Sequence, residues 1–447
     1  MSSLSVGRVL RRGLCAGAVG ALVLTGFGSG AAFAGGTAQG DELAIRAPQD
    51  TVITAAPESG AAQYRSLVLG LTHSNRETTV TDGRLTVDVS GLAGVAEVAW
   101  PDNCAPDDTG TVAVCDTGDV PNRYSPQVRL KVRATAEAGV GAQGAIEYSA
   151  EATGGPDGAL VAPGGSTRTF VTVASGVDLG VSAPQDVTGV APGSSLTVPF
   201  SVTNTGNETA HGFKVSMWAT YGLDVATRYP QCTSTGPGSG GFTHVTCSFD
   251  TDVPPGATVE LPEPLRLAVT GHALYERFEY GVEPADEAVV DLDSSDNNRT
   301  WHINADNTAD FSVKGAKASG AAGDTVTTAF RFINNGPAWA GDVTSGDPLV
   351  AIDFYLPEGT TATSVPRTCR TTSAPGDAPN TVHYVCTLPT WTTPDLDVSF
   401  PFQLRVDRVV PDATGRVVAR SYSGAASLPF DPDTTNNSAE VVVNPSV

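Results

Sequence analysis

Lysine is almost missing from this chain of 447 residues: Lys131, Lys214, Lys314 and Lys317 are the whole complement. With 26 basic residues against 48 acidic ones, the formal charge is -22. A surface of that sign repels phosphate, whose capture rests on lysine and arginine, so nucleic acid is excluded as a partner. Aromatics are sparse at 7%, and no segment shows the sustained 3.6-residue periodicity of a long helix. No C-x-x-C, H-E-x-x-H, G-x-S-x-G, P-loop or dinucleotide fingerprint occurs. The enzyme and nucleotide-binding classes that such motifs mark therefore find no support.

What is present begins at the N-terminus. Arg8, Arg11 and Arg12 precede an apolar run from Leu14 to Phe27, followed by small residues ending in Ala32-Phe33-Ala34. This order predicts a signal peptide over residues 1–34, cleaved after Ala34. Cys15 opens the apolar run instead of following it, which argues against a lipoprotein anchor. Cleavage removes three arginines and no acid, so the formal charge moves from -22 to about -25. No second apolar segment follows, and Val441–Val447 carries no sortase-type signal. The expectation is a secreted, extracellular monomer without a membrane span, released or held non-covalently at the cell wall. Arginine in place of lysine, with much alanine, glycine and valine, suggests a GC-rich bacterial genome.

Glycine and proline punctuate short runs of alternating apolar and polar residues, the pattern of half-buried strands. Leu196, Val198, Phe200 and Val202 alternate with Thr197, Pro199 and Ser201, and Val326, Thr328, Phe330 and Phe332 do likewise. These runs repeat. Phe200-Ser201-Val202-Thr203-Asn204-Thr205-Gly206 answers Phe330-Arg331-Phe332-Ile333-Asn334-Asn335-Gly336, and Val177-Asp178-Leu179 answers Ala309-Asp310-Phe311. Asp291-Leu292-Asp293-Ser294-Ser295-Asp296-Asn297-Asn298 corresponds to Asp431-Pro432-Asp433-Thr434-Thr435-Asn436-Asn437. A first, degenerate copy shares Ala47-Pro48-Gln49-Asp50 with Ala183-Pro184-Gln185-Asp186, and places Thr72-His73-Ser74 where the second has Thr203-Asn204-Thr205. It lacks the closing acidic element and has Gly154-Gly155-Pro156-Asp157-Gly158 instead.

The expected fold class is all-β: three tandem Ig-like β-sandwich domains, residues 42–174, 175–305 and 306–447, after the cleaved signal peptide. Val202-Thr203-Asn204-Thr205-Gly206-Asn207 and the closing Asp431–Asn437 resemble the Ig-like conserved-repeat domains of bacterial surface proteins, including the CARDB type. The resemblance covers about 175–447 well and 42–174 loosely. It implies an extracellular spacer, adhesin stalk or binding module, and it brings no catalytic residue with it.

Six cysteines form one local pair per copy: Cys104 with Cys115, Cys232 with Cys247, and Cys369 with Cys386. In an exported chain, even-numbered local pairs with no neighbouring histidine or C-x-x-C read as disulfides instead of zinc ligands. Asp291 and Asp293, like Asp431 and Asp433, present hard oxygens at alternate positions, which makes them candidate calcium ligands, but turn formation by Asx side chains is the favoured reading. His73, His211, His244, His272, His302 and His383 are scattered, and Ser239 lies in a glycine-rich stretch with Pro237 where a nucleophile elbow needs glycine. Trp218 and Trp301 are expected in the core. Trp339 and Trp391 flank turn residues, so they are the candidates for an exposed sugar-stacking surface, with packing in the core or at its edge the favoured reading; Trp100 is the fifth tryptophan.

No catalytic, cofactor or metal residue is assigned. The reading is a non-enzymatic structural or adhesion-type binding protein of the bacterial cell envelope, its partner an unidentified surface protein or glycan. A carbohydrate- or cell-wall-binding accessory module is the alternative, and a hydrolase sited in residues 42–174 is a third.

Overall fold

The computed structural model describes residues 40–446 apart from 58–59, 156–157, 237–240, 342–345, 373–382 and 426–427. The segment read as a signal peptide, with Cys15 and Ala34, and Ser239 lie outside the described residues. The described residues are almost entirely strand and turn, and the strands fall into three successive blocks with the same connectivity.

The first block runs β1 (Leu43–Arg46), β2 (Asp50–Thr54), β3 (Arg65–His73), β4 (Val80–Asp88), β5 (Ala96–Ala99), β6 (Cys104–Pro106), β7 (Val112–Val120), β8 (Val128–Ala134), β9 (Gln143–Gly155) and β10 (Gly158–Ala174). One sheet has the order β1-β3-β8-β5 and the other β2-β10-β9-β4-β7-β6. Two sheets facing each other across one apolar core, with the first strand divided between them, make an Ig-like β-sandwich. The division follows from Pro48, which has no N–H to continue the ladder. β1 pairs antiparallel with β3, and after the break β2 pairs parallel with β10.

The other blocks repeat this arrangement. Leu179–Val181 pairs antiparallel with Ser201–Asn204, and after Pro184 the strand Val187–Val190 runs parallel to Asn298–Ala305. In the third block Phe311–Lys314 and Ala316–Ala318 divide in the same way around Gly315. Glycine is required there because a Cβ would collide with the carbonyl oxygen of Glu440. Buried apolar residues gather accordingly into clusters spanning 43–173, 177–303 and 274–443.

Alternation places the inward residues as expected. Val198, Phe200 and Val202 are buried, as are Thr328, Phe330 and Phe332. The single long strand expected around Leu196–Val202 is broken in two, Ser195–Thr197 and Ser201–Asn204, because Pro199 removes a ladder donor at its centre. Its partner is broken likewise into Thr258–Glu260 and Arg266–Val269, around Pro262 and Pro264. The third block has Ala329 in place of Pro199 and keeps a single proline, Pro401, within the partner strand, and its equivalents, Thr325–Asn334 and Asp397–Val406, are continuous.

The cysteines are bonded in the three local pairs read from the sequence. Cys104 and Cys115 face each other in register on β6 and β7, the outermost strand pair of the larger sheet. Cys232 and Cys247 occupy the same place in the second block, and Cys369 and Cys386 in the third. The later cysteine of each pair (Cys115, Cys247 and Cys386) is buried in the apolar core of its block. Cys232 and Cys369, on the edge strands, are half-buried. Closing loops with sequence separations of 11, 15 and 17 stabilises each block by roughly 3 kcal/mol through the unfolded chain. Each bond pins a short edge strand that has a single neighbour.

Candidate functional site

The chemistry-bearing side chains collect at the ends of the blocks, where one meets the next. At each such end an amide or imidazole bolts the loops together. Asn204 is fully buried: Oδ1 accepts from the N–H groups of Asp178 and Gly206, and Nδ2 donates to the carbonyls of Glu208 and Val253. Asn334 repeats the pattern with Asp310 N–H, Gly336 N–H, Ala338 O and Thr392 O. In the first block His73 stands in this position and donates from Nδ1 to Asp41 Oδ2 at 2.9 Å. Burial opposes ionisation of Asp41, but Thr78 Oγ1, the Asn75 N–H and His73 outweigh it and hold the carboxyl down at about 2.

Asp41, His73 and Ser74 are thus neighbours, which bears on a hydrolase in residues 42–174. Ser74 Oγ donates to Asp41 Oδ1 at 3.3 Å, and the Asp–His bond is the second contact. A nucleophilic triad needs the hydroxyl at the far ring nitrogen of the histidine. Here both groups converge on the carboxylate, an arrangement that orders a loop.

The acidic motif of the second block forms a cup. Asp291 Oδ2 accepts from Leu179 N–H at 2.8 Å, Asp291 Oδ1 from Asp293 N–H, and Asp293 Oδ1 from Ser295 N–H. The last two are Asx turns that lead into the final strand. In the third block Asp431 Oδ2 accepts from Asn437 Nδ2, and Asp433 Oδ1 from Thr435 N–H. Among the described residues no group of three or more His, Cys, Asp or Glu side chains is placed to hold a metal ion.

Arg65, at the start of β3, reaches from the first block into this cup. Its Nη1 lies 3.6 Å from Asp178 Oδ2, and Nη2 pairs with Asp293 Oδ2. One guanidinium therefore faces Asp178, Asp291, Asp293 and Asp296, with Arg299 also acting on Asp296. Burial and then Asp178 push Asp296 up to about 6; burial likewise raises Asp291 to about 6, against the Leu179 N–H and Arg65. A carboxyl whose folded value exceeds its unfolded 3.8 binds a proton on folding. That stabilisation is complete below the unfolded value and is lost as pH rises through about 6. Thermal melts should therefore show the second block gaining stability as pH falls from about 7.5 to about 5. Asp296→Asn, which installs the residue type of Asn436, should raise neutral-pH stability by about 1 kcal/mol after screening and flatten that slope.

The second junction is built around a buried carboxylate. Glu276 is 1% exposed and accepts four hydrogen bonds: from Thr220 Oγ1, Gly222 N–H, Leu274 N–H and, across the junction, Trp339 Nε1 at 2.6 Å. Burial pushes its carboxyl up and the four donors oppose that shift. Since every neighbour donates, the ionised form fits the site. Trp339 N–H donates to His272 O, Asn307 Nδ2 to Gly271 O and Ala273 O, and Tyr275 meets Phe430 edge-on at 6.2 Å.

Trp339 offers no exposed stacking face: it is 1% exposed, which agrees with the reading of core or edge packing. Pro337, two residues earlier, marks a turn that docks onto the second block instead of opening to water. Trp391 is half-buried against Trp339, tilted by 37°, and meets Phe242 edge-on, so no flat platform forms. Trp301 lies in the core as expected, with Nε1 donating to Gln185 O. Trp218 does not: it sits half-buried on the outer face of its sheet, stacked on His244 at 4.6 Å, because its alternation parity is opposite to that of Met217. Trp100 packs at the edge of the first core. The remaining histidines have separate roles: His211 and His302 face Asp252 and Asp186, His272 Nδ1 donates to Pro337 O, and His383 stacks on Tyr355.

A cleft of about 540 Å³ opens at the first junction. Arg46, Asp50, Thr51 and Tyr124 of the first block line it, Arg65 and Ser66 extend its wall, and Asp293 and Ser295 come from the second. None of its arginines, nor Tyr124, stands out in the sequence as a site. Arg65 and Glu276 do carry one legible signal: each shares the inward parity of its strand, with Leu67, Leu69 and Leu71 or with Phe278, Tyr280 and Val282.

No protein-family model matches the chain, and no curated protein matches it significantly. Solved structures similar to it include Dpr2 Ig1-Ig2 in complex with DIP-Theta Ig1-Ig3, at 7% identity over 91% of this chain and 100% of that one, with a TM-score of 0.26. A cohesin module from a Clostridium perfringens family 33 glycoside hydrolase matches at 11% identity, 30% and 97% coverage and a TM-score of 0.21. Trypsin-activated alpha-2-macroglobulin from Escherichia coli matches at 13% identity, 71% and 21% coverage and a TM-score of 0.23. Overlaps this low carry no argument, and the Ig-like description rests on the sheet order and the divided first strand.

Proposed function

We propose that the mature chain is a secreted, non-enzymatic binding protein of the bacterial cell envelope. Three Ig-like domains, 42–174, 175–305 and 306–447, stand in tandem as a stiff spacer with its binding surface at the junctions. The observation that carries this reading is the construction of the two joints. Arg65 reaches into the carboxylates of the next block, and Trp339 reaches back to the buried Glu276. Side chains buried across a joint restrict swivelling, which is what a module that holds a binding surface at a distance requires. Strong negative charge keeps such a rod soluble and separate from its copies.

Retention of the purified mature protein on isolated bacterial cell walls and on a glycan panel, with and without calcium, tests the reading. Specific retention on either is the expected result. Absence of retention on every wall and glycan, together with a flexible, multi-conformer small-angle scattering profile, overturns it. The carbohydrate-binding alternative is favoured by the cleft at the first junction, where an exposed tyrosine stands beside hydroxyl and charged side chains.

A further inference from the structure

We propose that the cleft between the first and second blocks binds a glycan that carries a carboxylate, with Arg46 holding the carboxylate and Tyr124 stacking on a sugar ring. This rests on the reading of the chain as an envelope binding protein and names the ligand class of that site.

The cleft's volume, about 540 Å³, lies within the range of small-ligand sites, which favour domain junctions. Its two arginines differ in what they hold. Arg65 is engaged by Asp178 and Asp293. Arg46 is exposed, makes no ion pair among the described residues, and donates from Nε to Thr72 Oγ1 at 3.2 Å. That bond fixes the plane of the guanidinium and leaves Nη1 and Nη2 as a fork, the geometry that grips a carboxylate through two parallel hydrogen bonds.

Tyr124 is placed beside this fork by the strand register. Arg46 pairs with Gly70, and Tyr124 lies against Gly70, where a Cβ would come within 3.3 Å of Tyr124 Cε2 and 2.6 Å of Ser125 O. The glycine lets the ring approach the strand directly opposite the arginine, and Tyr124 as a whole remains 51% exposed. An exposed aromatic face with a polar rim suits the apolar face of a pyranose. Asp50, Thr51, Ser66 and Ser295 complete the lining and offer acceptors and hydroxyls to sugar hydroxyls. Side-chain hydroxyl and charged groups of this kind favour a glycan over a peptide, which presents few hydroxyls of its own.

Isothermal titration of the full mature chain with oligogalacturonate, set against the same oligosaccharide methyl-esterified, tests the assignment. The acid form should bind, and esterification should weaken it at least about tenfold by removing the charge that Arg46 holds. Arg46→Gln and Tyr124→Ala should each weaken binding about tenfold with unchanged melting temperature, since both side chains are exposed and outside the core. Equal binding of acid and ester, indifference to Arg46→Gln, or equal binding of polyglutamate overturns the glycan–carboxylate site. If Arg46→Gln leaves cell-wall retention intact, the cleft assignment falls while the envelope-binding reading stands. If the wild-type chain is retained by no wall or glycan, both fall.

Discussion

Trp339→Ala is expected to destabilise the second and third blocks together by about 4 kcal/mol and to free the joint between them. Removing a fully buried indole costs about 3–5 kcal/mol in lost transfer and residual cavity. Here it also takes a donor from Glu276, a carboxylate that is 1% exposed and held by four hydrogen bonds. Trp339→Phe separates the two effects. It keeps the larger part of the buried ring area but loses the N–H and two ring carbons; Glu276 Oε1 still accepts from Leu274 N–H, so the cost should be about 2 kcal/mol, that of one lost hydrogen bond to a charged group. Denaturant titration of the full chain reads the stability change. Small-angle scattering reads the joint, and a broadened distribution of maximum dimensions in Trp339→Ala, absent in Trp339→Phe, is the expected outcome. A loss below about 1 kcal/mol for the alanine variant would mean that the indole does not hold the junction.

Asn334→Ala should cost the third block roughly 3–5 kcal/mol, and Asn204→Ala the same in the second. Each truncation strands two N–H groups and two carbonyls in a dry site, and each stranded group carries a penalty of about 1–3 kcal/mol that loop relaxation partly relieves. Aspartate should not rescue. It retains acceptors for Asp310 N–H and Gly336 N–H, but it turns a second negative oxygen toward the carbonyls of Ala338 and Thr392. Comparable loss for alanine and aspartate, measured by urea denaturation, is the expected pattern. Full rescue by aspartate would show that the amide nitrogen contributes little.

Several of these features are legible at short range. The recurrence of Asn204 and Asn334 in the same motif marks a position that the fold reuses, and the alternation of Phe330 and Phe332 with polar neighbours marks the inward face. Local cysteine spacing is enough to pair Cys104 with Cys115, Cys232 with Cys247, and Cys369 with Cys386, because a cross-strand link between neighbouring strands needs no long-range knowledge. The acidic motifs are legible as turns for the same reason, since Asx side chains bond backbone two residues away. Trp339 is not legible in this way. It lies beside turn residues, and although core or edge packing is the favoured reading there, nothing local says that a neighbouring block supplies the packing. Arg65 and Glu276 share inward parity with apolar residues, a sign of burial that gives no hint of what each meets there.

Sequence by itself determined the elements that depend on short range: the period-two strands, the proline breaks that divide the first strand of the first two blocks, the edge disulfides and the negative surface. These follow from backbone geometry and side-chain chemistry within a few residues. The tertiary structure alone decided what the block ends do. Arg65 meets Asp178 from the preceding block, and Trp339 meets Glu276 across 63 positions of sequence. Ser295 joins Arg46 and Tyr124 in one cleft only because the first and second blocks pack against each other. Such contacts carry no local periodicity, since the residues that make them are selected by the packing of whole blocks against each other.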